Sequence, residues 1–169
     1  MYGTLVGAGT YHTARGNSAW TGSDADKTAA LVRATDYIDG RYRVMLRTGK
    51  WVSMFRGSRT EGRSQDHEWP RLGATDAEGN AIDDDVVPIE VEYATYEAAL
   101  RELVTPGSLS PDFVPNTQVT KEKVGPIELS YADGSGTGST PNRPIVPVID
   151  EIIAPLIYEP SDYRGAVVV

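Results

Sequence analysis

Cysteine is absent from the 169 residues, which excludes disulfides, thiol nucleophiles and thiolate metal sites. Histidine is nearly absent. His12 and His67 are the only two, too few for a histidine-based metal site unless carboxylates complete the set. No apolar run approaches the roughly 20 residues needed to cross a bilayer, so no membrane contact is expected. Residues 1–5 carry neither a basic n-region nor an apolar h-region, so no signal peptide is expected and synthesis in the cytoplasm is. No phosphate-binding glycine loop is present. Gly7-Ala8-Gly9 lacks the third glycine and following helix of a dinucleotide fingerprint. Ser64, Asp66 and His67 are hydrolase residue types without a nucleophile elbow, and the carboxylates from Asp76 to Asp85 do not follow calcium-loop spacing. The expectation is therefore a protein that is not an enzyme, with no catalytic residue, no metal ligand and no cofactor.

What the chain does have is charge, unevenly placed. Sixteen Lys and Arg face twenty-four Asp and Glu, a net −8. Residues 1–72 hold eleven basic and seven acidic side chains (+4), and residues 73–169 hold five and seventeen (−12). Opposite-sign halves suit contacts between copies of a chain or with a partner. Residues 41–71 interleave Arg41, Arg43, Arg47, Lys50, Arg56, Arg59, Arg63 and Arg71 with Trp51, Phe55 and Trp69. Arginines beside stackable aromatics are nucleic-acid chemistry. The competing reading has the aromatics anchoring the loop to the core and the arginines meeting acidic surfaces.

Periodicity places the regular elements. Ser23 is suited to cap a helix over 24–39, with Asp24 and Asp26 in its first turn and Ala30, Leu31, Ala34 and Ile38 on one face. Residues 10–15 fit a brief helix. A second long helix is expected over 88–103, with Pro88 at its first position. One stripe of that helix is Ile89, Tyr93, Tyr96, Leu100 and Leu103, and an adjacent stripe of smaller residues is Val91, Ala94 and Ala98. That double stripe implies burial on two sides, against another helix and against a neighbouring subunit. Beyond Val104 the pattern loosens. Residues 117–123 and 127–131 read as the strands of a hairpin, 132–142 as a Gly/Ser/Thr linker, and 145–157 as a short apolar helix.

A further pattern emerges at Gln65-Asp66-His67-Glu68-Trp69-Pro70-Arg71, joined by Asp76, Gly79, Ile82 and Pro88. With Tyr11…Arg15-Gly16-Asn17…Trp20, Ala34-Thr35…Ile38-Asp39 and Glu122-Lys123-Val124-Gly125…Tyr131, it covers most of residues 2–158 in order. The chain thereby resembles the head–tail adaptor (connector) proteins of long-tailed bacteriophages. Related sequences also carry the label DnaT-like single-stranded-DNA-binding. The resemblance implies a structural protein of the virion neck, between capsid and tail. It would form a homo-oligomeric ring, typically of twelve copies, that joins the portal protein to a downstream neck or tail protein and can touch packaged DNA. The label implies the alternative, a replication-associated single-stranded-DNA binder.

The fold expected from these readings is mainly α: a small helical bundle over 1–103, an extended arm with a β-hairpin and flexible linker over 104–143, and a docking segment with a short terminal helix over 144–169. Arg56, Arg59, Arg63, Tyr93 and Tyr96 are the expected contacts between subunits. Lys121, Lys123, Val124, Ile145, Val148, Ile149, Ile152, Ile153 and Tyr158 are the expected contacts with the portal or neck partner.

Overall fold

The computed structural model describes residues 1–111, 121–124, 127–130 and 144–158. Helix α1 (Leu5–Ala14) opens on Thr4, whose hydroxyl accepts the Gly7 amide. It starts five residues before the expected 10–15 segment. Gly7 and Gly9 lower helix propensity and disguise it, yet Gly7 is required: the Tyr96 hydroxyl occupies the space a Cβ there would need. Helix α2 (Asp24–Arg41) is capped by Ser23, whose hydroxyl accepts the Asp26 amide at 3.1 Å.

The chain then turns back in two small antiparallel sheets. Strand β1 (Arg43–Met45) pairs with β2 (Trp51–Ser53) in the register Val44↔Val52. Strand β3 (Ser58–Arg59) pairs with β4 (Arg71–Leu72) around a 3₁₀ turn at Gly62–Ser64. Helix α3 (Ile89–Val104) follows Pro88, which serves as its N-cap rather than its first residue. Strands β5 (Lys121–Val124) and β6 (Ile127–Ser130) form an antiparallel hairpin within the expected 117–131 segment. Helix α4 (Pro147–Ile153) runs into a 3₁₀ turn at Ala154–Leu156.

Helix α3 is central: it packs against α1, α2 and α4. Fully buried small side chains let these helices approach closely, Ala30 and Ala34 on α2 and Ala94, Ala98 and Ala99 on α3. The most buried face of α3 is thus the small-residue stripe. Ile89, expected in the main stripe, is 52 % exposed.

Three expectations are corrected. The fold is not a plain helical bundle with an appended arm, because Phe55, Trp69 and Ala74 from the 43–88 segment sit in the same core as the helices. The two-sided burial of α3 comes from α2 and α4 of the same chain, so it does not call for a neighbouring subunit. Segment 144–158 folds back on its own domain. Ile149 and Ile153 are fully buried, and Asp150 accepts hydrogen bonds from Tyr42 Oη at 2.8 Å and Arg41 Nη2 at 3.0 Å at the end of α2. Ile157 bridges to Phe55. The apolar periodicity of 145–157 was sound, but the surface it buries against is α3. The linker expected at 132–142 and the tail 159–169 lie outside the described residues.

Burial separates neighbouring isoleucines of this segment sharply. Replacing Ile153 with Ala should cost about 2–5 kcal/mol in denaturant unfolding, whereas Ile145→Ala, at a position 72 % exposed, should stay within about 0.5 kcal/mol.

Candidate functional site

The 41–71 segment is organised by one buried carboxylate. Glu68 is 3 % exposed, and its Oε1 accepts from Arg43 Nη2 at 2.6 Å and Arg59 Nη2 at 2.8 Å, while Oε2 accepts from Arg71 Nη1 at 2.6 Å. Arg71 is itself buried. Its remaining N–H groups reach the carbonyls of Phe55 (3.3 Å), Arg56 (2.8 Å) and Gly57 (2.7 Å), tying β4 to the chain that enters β3. Burial pushes the Glu68 carboxyl up, but the hydrogen bonds and charges of Arg43 and Arg59 outweigh it and hold the group at about 2.

A second polar cluster fixes the neighbouring residues against α2. Tyr2 donates its hydroxyl proton to Asp39 Oδ1 and accepts the Trp69 amide at 3.0 Å. His67 Nδ1 faces Asp39 Oδ2 at 3.1 Å, and the Glu68 amide donates to Asp39 Oδ1 at 3.3 Å. Burial raises the Asp39 carboxyl above its ordinary range against the lowering effect of these donors. His67 thus pairs with Asp39, and its ring lies 5.4 Å from that of Tyr2.

With those residues spent inward, a different set faces out. The β1–β2 turn closes through Leu46 N to Lys50 O at 2.9 Å and Gly49 N to Leu46 O at 2.9 Å, with Gly49 at φ +83°. Arg47, Thr48 and Lys50 are exposed on it. Trp51, the next residue, is 49 % exposed, whereas Phe55 and Trp69 are 1 % and 3 % exposed. The Tyr158 amide donates to Met54 O at 3.0 Å, which places its ring, 39 % exposed, where the Arg56 guanidinium lies 5.7 Å from the ring centre. Two cationic side chains on a tight turn, an open indole and an Arg–Tyr pair form one edge of the domain. This arrangement can stack planar rings and pair with phosphates.

The residues singled out from the sequence disperse. Arg56 and Arg63 are exposed, but Arg59 is bound to Glu68 and to the Gln65 carbonyl at 3.1 Å. Tyr96 is buried and accepts the Thr4 amide at 3.2 Å, and Tyr93 is half-buried with its ring 4.8 Å from that of Tyr11. As contacts between subunits, Tyr96 is corrected to an interior role and the partly exposed Arg59 to a partner of the buried Glu68. Lys121, Lys123 and Val124 lie on β5. Ile145 and Tyr158 are exposed; Val148 and Ile152 are partly buried against the core that encloses Ile149 and Ile153. The last two are therefore removed from the partner-binding set. Glu68 and Asp39 were not singled out as organising residues; Glu68 is one of three acids, with Glu61 and Asp66, among the eight cations of 41–71, and no local pattern marks it as the buried one. Among the described residues, no cluster of three or more histidines and carboxylates could hold a metal ion.

Removing the Glu68 charge strands a buried arginine. Glu68→Gln should destabilise the domain by about 3–5 kcal/mol. Because the folded-state value is depressed, the stabilisation from this group is present above the unfolded value of about 4.5 and lost as pH falls toward about 2. Urea unfolding of the wild type should weaken across that window, and the variant should lack this part of the decline.

Comparison with known proteins supports one assignment. The family model described as "Putative DnaT-like ssDNA binding protein" matches residues 1–169. No curated protein and no solved structure matches the chain. The chain belongs to the DnaT-like ssDNA binding protein family.

Proposed function

We propose that this chain binds single-stranded DNA along the edge formed by the β1–β2 turn, Trp51, Arg56 and Tyr158. The observation that carries the reading is the exposure of Trp51 beside Lys50 while the other two aromatics of the same segment are buried. A half-exposed indole next to cations leaves a ring face open to stacking. An indole stacks on any base, which suits binding without sequence preference, and Lys50 and Arg56 supply the phosphate charge. The family description points the same way. A net charge of −8 over the whole chain repels a polyanion elsewhere on the surface, so binding is confined to this edge and falls steeply with salt.

A second reading is favoured by the course of the chain. Among the described residues, Leu109 and Val146 are core positions, and the β5–β6 hairpin lies between them in the sequence. A hairpin inserted at that point suits contact with a neighbouring protein, as in the head–tail adaptors that the sequence resembles. On this reading the protein is a structural component of a phage neck. Copies assemble as a ring within the virion, between a portal protein and a downstream neck protein, with Lys121, Lys123, Val124 and Ile145 toward a partner.

Fluorescence anisotropy with a labelled oligothymidylate separates the two. Stacking worth about 1–3 kcal/mol per base predicts that Trp51→Ala weakens binding about 5- to 150-fold at unchanged melting temperature. Equal affinity of variant and wild type would overturn the proposed edge. No binding at physiological salt, together with closed rings in negative-stain images of the purified protein, would favour the adaptor reading.

A further inference from the structure

The strap that presents Tyr158 comes from a part of the sequence remote from Trp51. Beyond the 3₁₀ turn at Ala154–Leu156, residues 157 and 158 lie antiparallel beside 54 and 55. Ile157 bridges Phe55, and the Tyr158 amide donates to Met54 O at 3.0 Å. Met54 in turn donates its own amide to Tyr42 O at 2.8 Å. Met54 is three residues past Trp51, a reach of at most about 11 Å along the chain. Two open aromatic rings, 49 % and 39 % exposed, are thereby brought to one edge.

A further contact fixes this strap at Pro155, whose carbonyl accepts the Ala77 amide at 2.7 Å. Ala77 belongs to a turn stiffened by its own hydrogen bonds. Gly79 N donates to Asp76 O at 3.2 Å and Asp76 N to Asn80 O at 3.0 Å. The Asp76 carboxylate accepts the amides of Glu78 (2.9 Å) and Asn80 (2.8 Å) and the Asn80 side-chain amide (2.8 Å). At the base of the turn Thr75 bridges Ala81, and Ala74 is buried in the core. The Ala77 amide is the donor that this anchored turn extends to the strap.

We propose that the 76–79 turn is a clasp that positions Tyr158 as the second stacking ring of the single-stranded-DNA edge. A phenol ring stacks on a base as an indole does, and the Arg56 guanidinium, 5.7 Å from the centre of the Tyr158 ring, adds charge for a phosphate beside it. The inference rests on the DNA-binding reading and adds a condition to it: the site is complete only while the strap is docked. Ala77 acts through Tyr158 and is a positioning residue.

Proline at position 77 tests the clasp and spares the turn. Neither Ala77 nor Glu78 has a positive φ, so the hydrogen-bonded turn is of type I, whose second position accepts proline. Ala77→Pro removes the N–H that holds Pro155 O. One hydrogen bond of ordinary worth is about a fivefold change in strap docking. Without DNA, hydrogen exchange of the Tyr158 amide should run about fivefold faster in Ala77→Pro than in the wild type, with the α3 amides of Ala94 and Ala98 unchanged. With a labelled oligothymidylate, Tyr158→Ala should weaken binding at least fivefold and Tyr158→Phe should leave it unchanged. Ala77→Pro should weaken it about two- to fivefold, but not when combined with Tyr158→Ala. Ala77→Ser, which keeps the amide, should match the wild type throughout. Unchanged Tyr158 exchange in Ala77→Pro, or a loss of affinity that persists in full beside Tyr158→Ala, would overturn the clasp, and full affinity of Tyr158→Ala would overturn the stacking role. No binding by the wild type would overturn the DNA-binding reading and the stacking role with it, while the exchange result, read without DNA, still decides the clasp.

Discussion

The buried Glu68 carboxylate is the constraint on which the front of this domain depends. Placed among apolar side chains, it must be met by cations, and Arg43, Arg59 and Arg71 converge on it from β1, β3 and β4. Each of those strands is only two or three residues long, too short to hold its place by ladder hydrogen bonds alone. The carboxylate, and the carbonyls that Arg71 gathers, do what a larger sheet does elsewhere. Because the three arginines bond the buried carboxylate, the exposed cations of this segment are those of the β1–β2 turn, Arg56 and Arg63.

Charge also joins the two halves of the chain. The basic front and acidic back, which suggested contacts between subunits, meet inside one domain through Arg33–Glu102 at 2.9 Å and Arg41–Asp150 at 3.0 Å. Glu102 in addition accepts the amides of Gly107 at 2.7 Å and Leu109 at 3.0 Å, closing the end of α3. Asp150 holds α4 to the end of α2, and the strap continues through the Ala77 amide on Pro155 O at 2.7 Å. Leu109 and Val146, described residues on either side of the β5–β6 hairpin in the sequence, are both core positions.

Local signals in the sequence were the readable ones. Ser23 with Asp24 and Asp26 marks the start of α2 because a cap acts within one turn, and the alternation Ile127, Leu129 marks β6 because a strand shows itself in four residues. Helix α1 was half hidden by Gly7 and Gly9, and the purpose of Gly7, room for Tyr96, involves a residue some ninety positions away. An apolar stripe states that a face is covered and is silent on what covers it. Ile149 and Ile153 therefore read equally well as a docking surface for a partner or as core, and α3 decides between them. The 41–71 segment had the same ambiguity in charge. Eight cations invite a polyanion, but one glutamate, distinguishable only by its burial, absorbs three of them. Trp51 stands apart from Phe55 and Trp69 for a reason no local pattern contains, the packing of those two rings against each other and of Phe55 against Tyr42.

The central proposal is that the edge formed by the β1–β2 turn with Trp51, Arg56 and Tyr158 meets single-stranded DNA. Backbone amide shifts of the isotopically labelled protein, followed by NMR during titration with an oligothymidylate at physiological salt, test it most directly. The account predicts perturbations concentrated at residues 46–56 and 158, with the amides of Glu68 and Asp39 unmoved. Perturbations centred on another surface, or a spectrum unchanged at saturating oligonucleotide, would contradict it.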